Sequence, residues 1–256
     1  MFRNVLITGA SEGIGKGLAI EYSKTSERLF LAARRVELLN ELKSSLSESR
    51  AEIFTFKCDV SKKEEVDEIF GEIYSKCRSI DLAILNAGIS KRIDIEKMNS
   101  SEFVEIFNIN VFGVVYCVEN LFPKMIENKN GRIVGISSLS DSRGFSKSGA
   151  YCSSKAALTI YLDGLRTELR RFGVLVQTVK PGFVKTSMTD KNEFNMPMLM
   201  PAKKAVKIIV RGIEKNKAYI RFPKTIAFLS SLIGMLPAKI YDRVSELGYK
   251  RLIKTK

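Results

Sequence analysis

"NVLITGASEGIG", residues 4–15, joins a short apolar run to a helix through a glycine-rich turn, and the rest of the chain is organised around it. The run ends at Gly9 without polar alternation, the pattern of a strand covered on both faces. Gly9, Gly13 and Gly15 stand where the chain has to turn tightly, and a helix is expected from Gly13 to about Ser26. With no side chains at those glycines, a pyrophosphate can reach the backbone at Ser11, Gly13, Ile14 and Gly15 and the positive end of the helix. The spacing is GxxxGxG, and its strand–turn–helix setting is the one that phosphate binding requires.

The same alternation continues outward. Further strands are expected at "RLFLAA" (28–33), "EIFTFKCDV" (52–60), "IDLAILNAG" (80–88), "GRIVGISS" (131–138) and "GVLVQTVKPG" (173–182). Helices are expected up to Arg50, from a Ser61/Glu64 capping box to about Lys76, over about 101–128, and over 149–171. Val/Ile/Leu-rich strands separated by helices predict an α/β fold: a Rossmann-type, doubly wound parallel sheet in three layers. No linker composition divides the 256 residues, so one domain with a C-terminal helical appendage is expected. Such sheets bind ligands beyond the carboxyl ends of their strands.

Composition removes several chemistries. The chain has no histidine, which excludes Ser-His-Asp hydrolysis, HExxH proteolysis and most catalytic zinc sites, and no metal is expected. Acid–base work therefore falls to carboxylates, lysine, tyrosine or cysteine. The four cysteines show no CxxC spacing and nothing before Val5 resembles a secretory segment, so reduced thiols and a cytoplasmic location are expected. No run of 18 consecutive apolar residues occurs. Of the net charge of +14, residues 185–256 carry +11, from 16 Lys/Arg against 5 Asp/Glu. No groove-reading or base-stacking motif accompanies that charge, so nucleic acid is not an expected partner.

"GAYCSSKAAL" (149–158) puts Tyr151 and Lys155 one helical turn apart, on the same face. Chance alone supplies roughly one such pair in a lysine-rich chain with eight tyrosines, so the surrounding motifs decide its meaning. The glycine turn, "NAG" (86–88), "SS" (137–138), "YCSSK" (151–155) and "PG" (181–182) occur together and in order. Together they resemble the short-chain dehydrogenase/reductase family over about residues 3–190.

That resemblance implies a nicotinamide cofactor and reversible hydride transfer between a carbonyl and an alcohol. It also implies roles for single residues. Tyr151 matches the acid/base, Lys155 its partner and a ribose contact, Ser138 the serine that holds the substrate oxygen, and Asn110 the asparagine of a proton-relay water. On the cofactor side it implies Asp59 and Val60 near the adenine, Asn86, Ala87 and Gly88 along the cofactor floor, and Pro181, Gly182 and Thr186 by the nicotinamide. A local turn role competes for Asp59 and Asn86. Lys155 and an oxidised nicotinamide are both expected to lower the Tyr151 pKa from its ordinary value near ~10.

Ala33 occupies the end-of-strand position where NAD-preferring sites place an acid, and Arg34 and Arg35 follow it. Arginine suits a 2′-phosphate, which favours NADP(H) over NAD(H); Glu12, inside the glycine turn, is the departure from the usual NADP pattern. "FNMPMLMP" (194–201), in an expected substrate lid over about 187–201, points to an apolar carbonyl or alcohol substrate. The family commonly forms homodimers or homotetramers through the helices matching about 101–128 and 149–171. The apolar "TIAFLSSLIGMLP" (225–237) and the basic helix after it leave three occupants open within about 223–256: the substrate cleft, a partner subunit, or peripheral contact with the inner membrane surface. The alternative function is a cofactor-binding scaffold, sensor or membrane-surface module without turnover.

Overall fold

In a computed structural model, the described residues are 1–190 and 196–253, with backbone alone for 247–253. The chain runs β1 (Asn4–Thr8), α1 (Gly13–Tyr22), β2 (Arg28–Ala33), α2 (Val36–Ser45), β3 (Glu52–Lys57), α3 (Lys63–Lys76) and β4 (Leu82–Leu85). It continues with α4 (Ser100–Phe107), α5 (Gly113–Glu127), β5 (Gly131–Ile136), α6 (Gly149–Leu169) and β6 (Val174–Pro181). The last elements are β7 (Val184–Lys185), β8 (Met200–Pro201), α7 (Ala202–Glu214), β9 (Tyr219–Phe222), α8 (Lys224–Met235) and α9 (Ala238–Ile253).

Seven strands form one parallel sheet in the order β3-β2-β1-β4-β5-β6-β9. The two faces bury separate apolar cores. One packs α1, α2 and α7 through Leu18, Leu39 and Ile209; the other packs α3, α5 and α6 through Phe70, Leu121 and Leu162. The strand order reverses between β1 and β4, where the carboxyl ends open a crevice for a ligand. The turn after β1 and Asn86–Gly88 after β4 both lie there.

Three details differ from the sequence expectation. The edge strand β9 and its preceding helix α7 extend the sheet beyond the six expected strands. The Ser61/Glu64 capping box does not form: α3 starts at Lys63, and Asp59 Oδ1 takes both the Ser61 N–H and its hydroxyl. The helix expected over 101–128 is interrupted by a wide π turn at Asn108–Phe112. That composite helix, Ser100–Glu127, is long and apolar enough by composition to cross a bilayer, yet its inner side packs on the sheet through Val114, Cys117, Val118 and Leu121. All four cysteines are buried free thiols.

Candidate active site

Gly9 and Gly13 both adopt left-handed backbone, with φ of 64° and 57°, which side-chain-bearing residues rarely tolerate. Gly15 is excluded from substitution by contact: a Cβ there would lie 2.2 Å from the Gly9 carbonyl oxygen and 2.6 Å from Asn86 Nδ2. Gly15→Ala should therefore cost about 1–3 kcal/mol of stability and weaken dinucleotide binding. Thermal denaturation and fluorescence titration with NADPH would check both.

Asn86 holds the turn from the other side. Its Nδ2 donates to the carbonyls of Thr8 and Gly9 at 3.2 and 3.0 Å, while Thr8 Oγ1 accepts from the backbone N–H of Asn86 and Ala87. Helix α1 has no side-chain cap and no acid in its first turn, so its positive end is left for an anion. This chemistry fits a dinucleotide pyrophosphate.

At the end of β2, Arg34 and Arg35 follow the buried Ala33. Arg35 pairs with Glu12 at 2.8 Å, and Glu12 also accepts from the Ser187 hydroxyl. The departure inside the glycine turn is thus tied to one of the two arginines. Among the described residues, Arg34 forms no ion pair. Asp59 is engaged in its local turn with Ser61, and its N–H donates to Glu65. Val60 is buried against Gly113 at the start of α5.

Ser137 and Ser138 follow β5, and Tyr151 and Lys155 lie in the first two turns of α6. Lys155 is buried and its Nζ donates to the Ile136 carbonyl at 2.8 Å, beneath Ser138. A Cβ built on Gly88 would lie 3.3 Å from that Nζ, so the loop after β4 closes over the lysine. Tyr151 is half-buried, and Lys155 Nζ sits 5.9 Å from its ring centre.

Burial pushes the Tyr151 phenol above its ordinary pKa, the Ser138 hydrogen bond works in the opposite direction, and the fields of Cys152 and Asp141 add to the rise. Burial lowers Lys155 to about 8. The expected lowering of Tyr151 by Lys155 is not found in the protein itself: burial dominates and favours the protonated phenol.

Asn110 lies within the π turn, fully buried. Its Oδ1 accepts from Ile89 N–H at 2.8 Å, and its Nδ2 donates to the Ile89 carbonyl and Ser154 Oγ at 3.0 Å each. These bonds fix the loop beside Gly88, so the side chain acts as a clamp.

Pro181 ends β6 and Gly182 N–H donates to the Phe222 carbonyl at 2.7 Å. The chain then crosses the glycine turn: Thr186 Cγ2 is 3.0 Å from where a Cβ on Gly13 would stand. Of the Met-rich stretch, Phe194 and Asn195 lie outside the described residues. Met198 and Leu199 are exposed, with Met198 Sδ accepting from Thr225 of α8.

The C-terminal segment docks beside the cleft. Ser230 of α8 donates to the Leu139 carbonyl at 2.6 Å, Arg143 reaches the Leu236 carbonyl, and Tyr241 of α9 reaches Gly144. These contacts cover the loop that follows Ser138. They satisfy the inner side of α8 and leave Phe228, Leu229 and Leu232 exposed.

The sequence model of short chain dehydrogenases matches residues 3–196. The chain belongs to the short-chain dehydrogenase family. An uncharacterized oxidoreductase of Myxococcus xanthus is 33% identical over 241 residues, spanning 94% of this chain and 95% of that protein. A fatty acyl-CoA reductase of Acinetobacter baylyi is 31% identical over 248 residues, spanning 95% and 83%. Among solved folds, a short-chain dehydrogenase of Sphingobium yanoikuyae in complex with NADPH superimposes with a TM-score of 0.80 at 21% identity, covering 99% of this chain and 96% of that one. A Burkholderia phymatum relative in complex with NAD gives 0.81 at 21% identity, covering 90% and 92%. These short-chain dehydrogenases share the parallel sheet, and the family is one of NAD(P)-dependent oxidoreductases, so the fold and the general reaction class are fixed for this chain.

Sequence reasoning missed Asp141, Thr159 and Lys180, which form a polar cluster beneath Ser138. No spacing rule flags them, because they come from three separate elements.

Proposed function

We propose that the protein is an NADP(H)-dependent oxidoreductase that reduces a carbonyl on an apolar substrate, or oxidises the corresponding alcohol. The observation that carries this reading is the convergence of Ser138, Tyr151 and Lys155 at the carboxyl end of the sheet, the end at which the uncapped start of α1 also lies. When bound, the nicotinamide supplies or accepts the hydride at the substrate carbon. Tyr151 donates its phenolic proton to the carbonyl oxygen in reduction and takes it back in oxidation. Ser138 holds that oxygen by a hydrogen bond. Lys155 would hold the nicotinamide ribose and, as a cation beside the ring, would favour phenolate on the oxidative path.

Arg34 is the residue we assign to the 2′-phosphate, since Arg35 is already neutralised by Glu12. Losing a charge-assisted bond of about 1.5–3 kcal/mol corresponds to roughly a 10–100-fold change. Arg34→Ala should therefore raise the KM for NADPH by about that factor and leave that for NADH nearly unchanged. Equal efficiency of the wild type with NADPH and NADH would overturn the preference.

The apolar substrate assignment draws on Phe145, Met188, Met198 and Phe228, exposed around the loops that border the cleft. The similarity to a fatty acyl-CoA reductase points the same way. Peripheral membrane contact has no support from the relatives, and docking of α8 against the Ser138 loop accounts for its inner face. We place the enzyme in the cytoplasm as a homo-oligomer. An apolar groove of roughly 750 Å³ between α5 and α6, lined by Val115, Phe122, Tyr161 and Leu165, is the surface assigned to a second copy. Phe122 of α5, which lines this groove, is exposed. Phe122→Glu should shift the protein to monomer in light scattering without lowering its melting temperature.

A further inference from the structure

A nearly buried ion pair lies beneath the Ser138 turn. Asp141 Oδ2 and Lys180 Nζ are 2.6 Å apart, with side chains 6% and 12% exposed. Asp141 closes the short 3-10 turn Leu139–Asp141 that Ser138 begins, and Lys180 precedes Pro181 at the end of β6. One ion pair therefore ties the serine turn to the strand that launches the Pro181–Gly182 loop.

The pair continues into α6. Thr159 Oγ1 donates to the same Asp141 oxygen at 2.6 Å and lies 2.7 Å from Ser137 Oγ, which in turn donates to the Lys155 carbonyl at 3.0 Å. The chain of contacts thus runs from β6 through Ser137, the neighbour of Ser138, to the backbone of Lys155 on the helix that carries Tyr151.

Charge makes this more than a brace. The groups acting on Tyr151 are Cys152 from its own helix and Asp141 with Ser138 from the turn, while Lys155 Nζ lies 5.9 Å from its ring centre. Asp141 is in turn faced by Thr159 of α6 and Lys180 of β6, and a small cavity of about 80 Å³ around the pair is closed by Arg221 of β9 and by Ser230 and Ser231 of α8. Lys180 Nζ also lies 5.2 Å from the centre of the Tyr219 ring. The negative charge of Asp141 opposes ionisation of Tyr151, and Lys180 is the cation bonded directly to it.

We propose that Lys180 is a positioning residue for proton transfer, offsetting the Asp141 charge so that less of it bears on Tyr151 and clamping the turn that presents Ser138. The proposal rests on Tyr151 being the acid/base. Its readout is the ionisation midpoint of Tyr151, taken from ultraviolet difference titration of each variant against the same variant carrying Tyr151→Phe, with and without NADP⁺.

Lys180→Met leaves a buried carboxylate uncompensated. The midpoint should rise by about one pH unit, with the alkaline limb of kcat for alcohol oxidation moving in step. Lys180→Arg should restore the wild-type value, as should the double variant Lys180→Met/Asp141→Asn. A brace without an electrostatic part would leave the midpoint in place. Should Lys180→Met not fold, Asp141→Asn carries the test, since it retains the cation and should lower the midpoint. An unmoved midpoint in a folded single variant overturns the proposal. Failure of the acid–base reading would look different: turnover would survive Tyr151→Phe while the titration still reported on the ion pair.

Discussion

Replacing Tyr151 by Phe should lower kcat by about 10²–10⁴-fold, the usual worth of a positioned general acid, with NADPH affinity retained. Phe preserves the ring and removes only the oxygen that Ser138 engages. Single-turnover reduction under saturating NADPH would measure the loss, and fluorescence titration would confirm that the cofactor still binds. The effect should be largest for reduction near neutral pH, where the raised pKa keeps the phenol protonated. Oxidation depends on phenolate, so its rate in the wild type should climb with pH.

Lys155→Met should produce the second large effect, in opposite directions for activity and stability. Activity should collapse, because the cation beside Tyr151 and the proposed ribose contact are both removed, and NADPH binding should weaken. Stability should increase. The lysine has a folded-state pKa of about 8 against an ordinary 10.5. The unfolded chain therefore binds more protons between those values, so wild-type stability without cofactor rises with pH from about 8 upward, and the cost of the buried ammonium is fully present below 8. That cost is about 3 kcal/mol at pH 7. Losing the bond to the Ile136 carbonyl offsets about 1 kcal/mol of the gain. Urea denaturation of both proteins at pH 7 and pH 9.5 would show the variant ahead at the lower pH and the gap narrowing at the higher. A variant less stable than wild type at pH 7 would contradict the burial argument.

The parts of the fold visible in the sequence were those whose physics is local. Val5–Ile7 and Ile133–Val134 are apolar without alternation because both faces of the sheet are covered, and Gly9 and Gly13 mark left-handed backbone that residues with side chains rarely adopt. What escaped depends on contacts distant in sequence. Helix α7 buries Ala205, Val206, Ile209 and Ile213, but Lys203, Lys204, Lys207 and Arg211 entered the sequence reading only as part of the charge excess of residues 185–256. Strand β9 has four residues, too few for a periodic signal. The Ser61/Glu64 pattern lost to Asp59, which lies closer to the same hydroxyl and N–H in the folded turn.

The candidate site divides along the same line. Tyr151, Lys155 and Ser138 were legible because the motif fixes their spacing, and the fold brings them together. The protonation of Tyr151 was not, since it depends on how deeply the phenol sits and on Asp141, ten residues earlier in another element. Glu12, the departure inside the glycine turn, pairs with Arg35, which is why the proposed 2′-phosphate contact is assigned to Arg34.

The most direct test is NADPH oxidation by the wild-type protein across a panel of lipophilic aldehydes and ketones, with NADH in parallel. Turnover of an apolar carbonyl, faster with NADPH than with NADH and absent in Tyr151→Phe, is the expected result. Tight NADPH binding with no turnover of any member of the panel would contradict it and favour a cofactor-binding scaffold on the same fold.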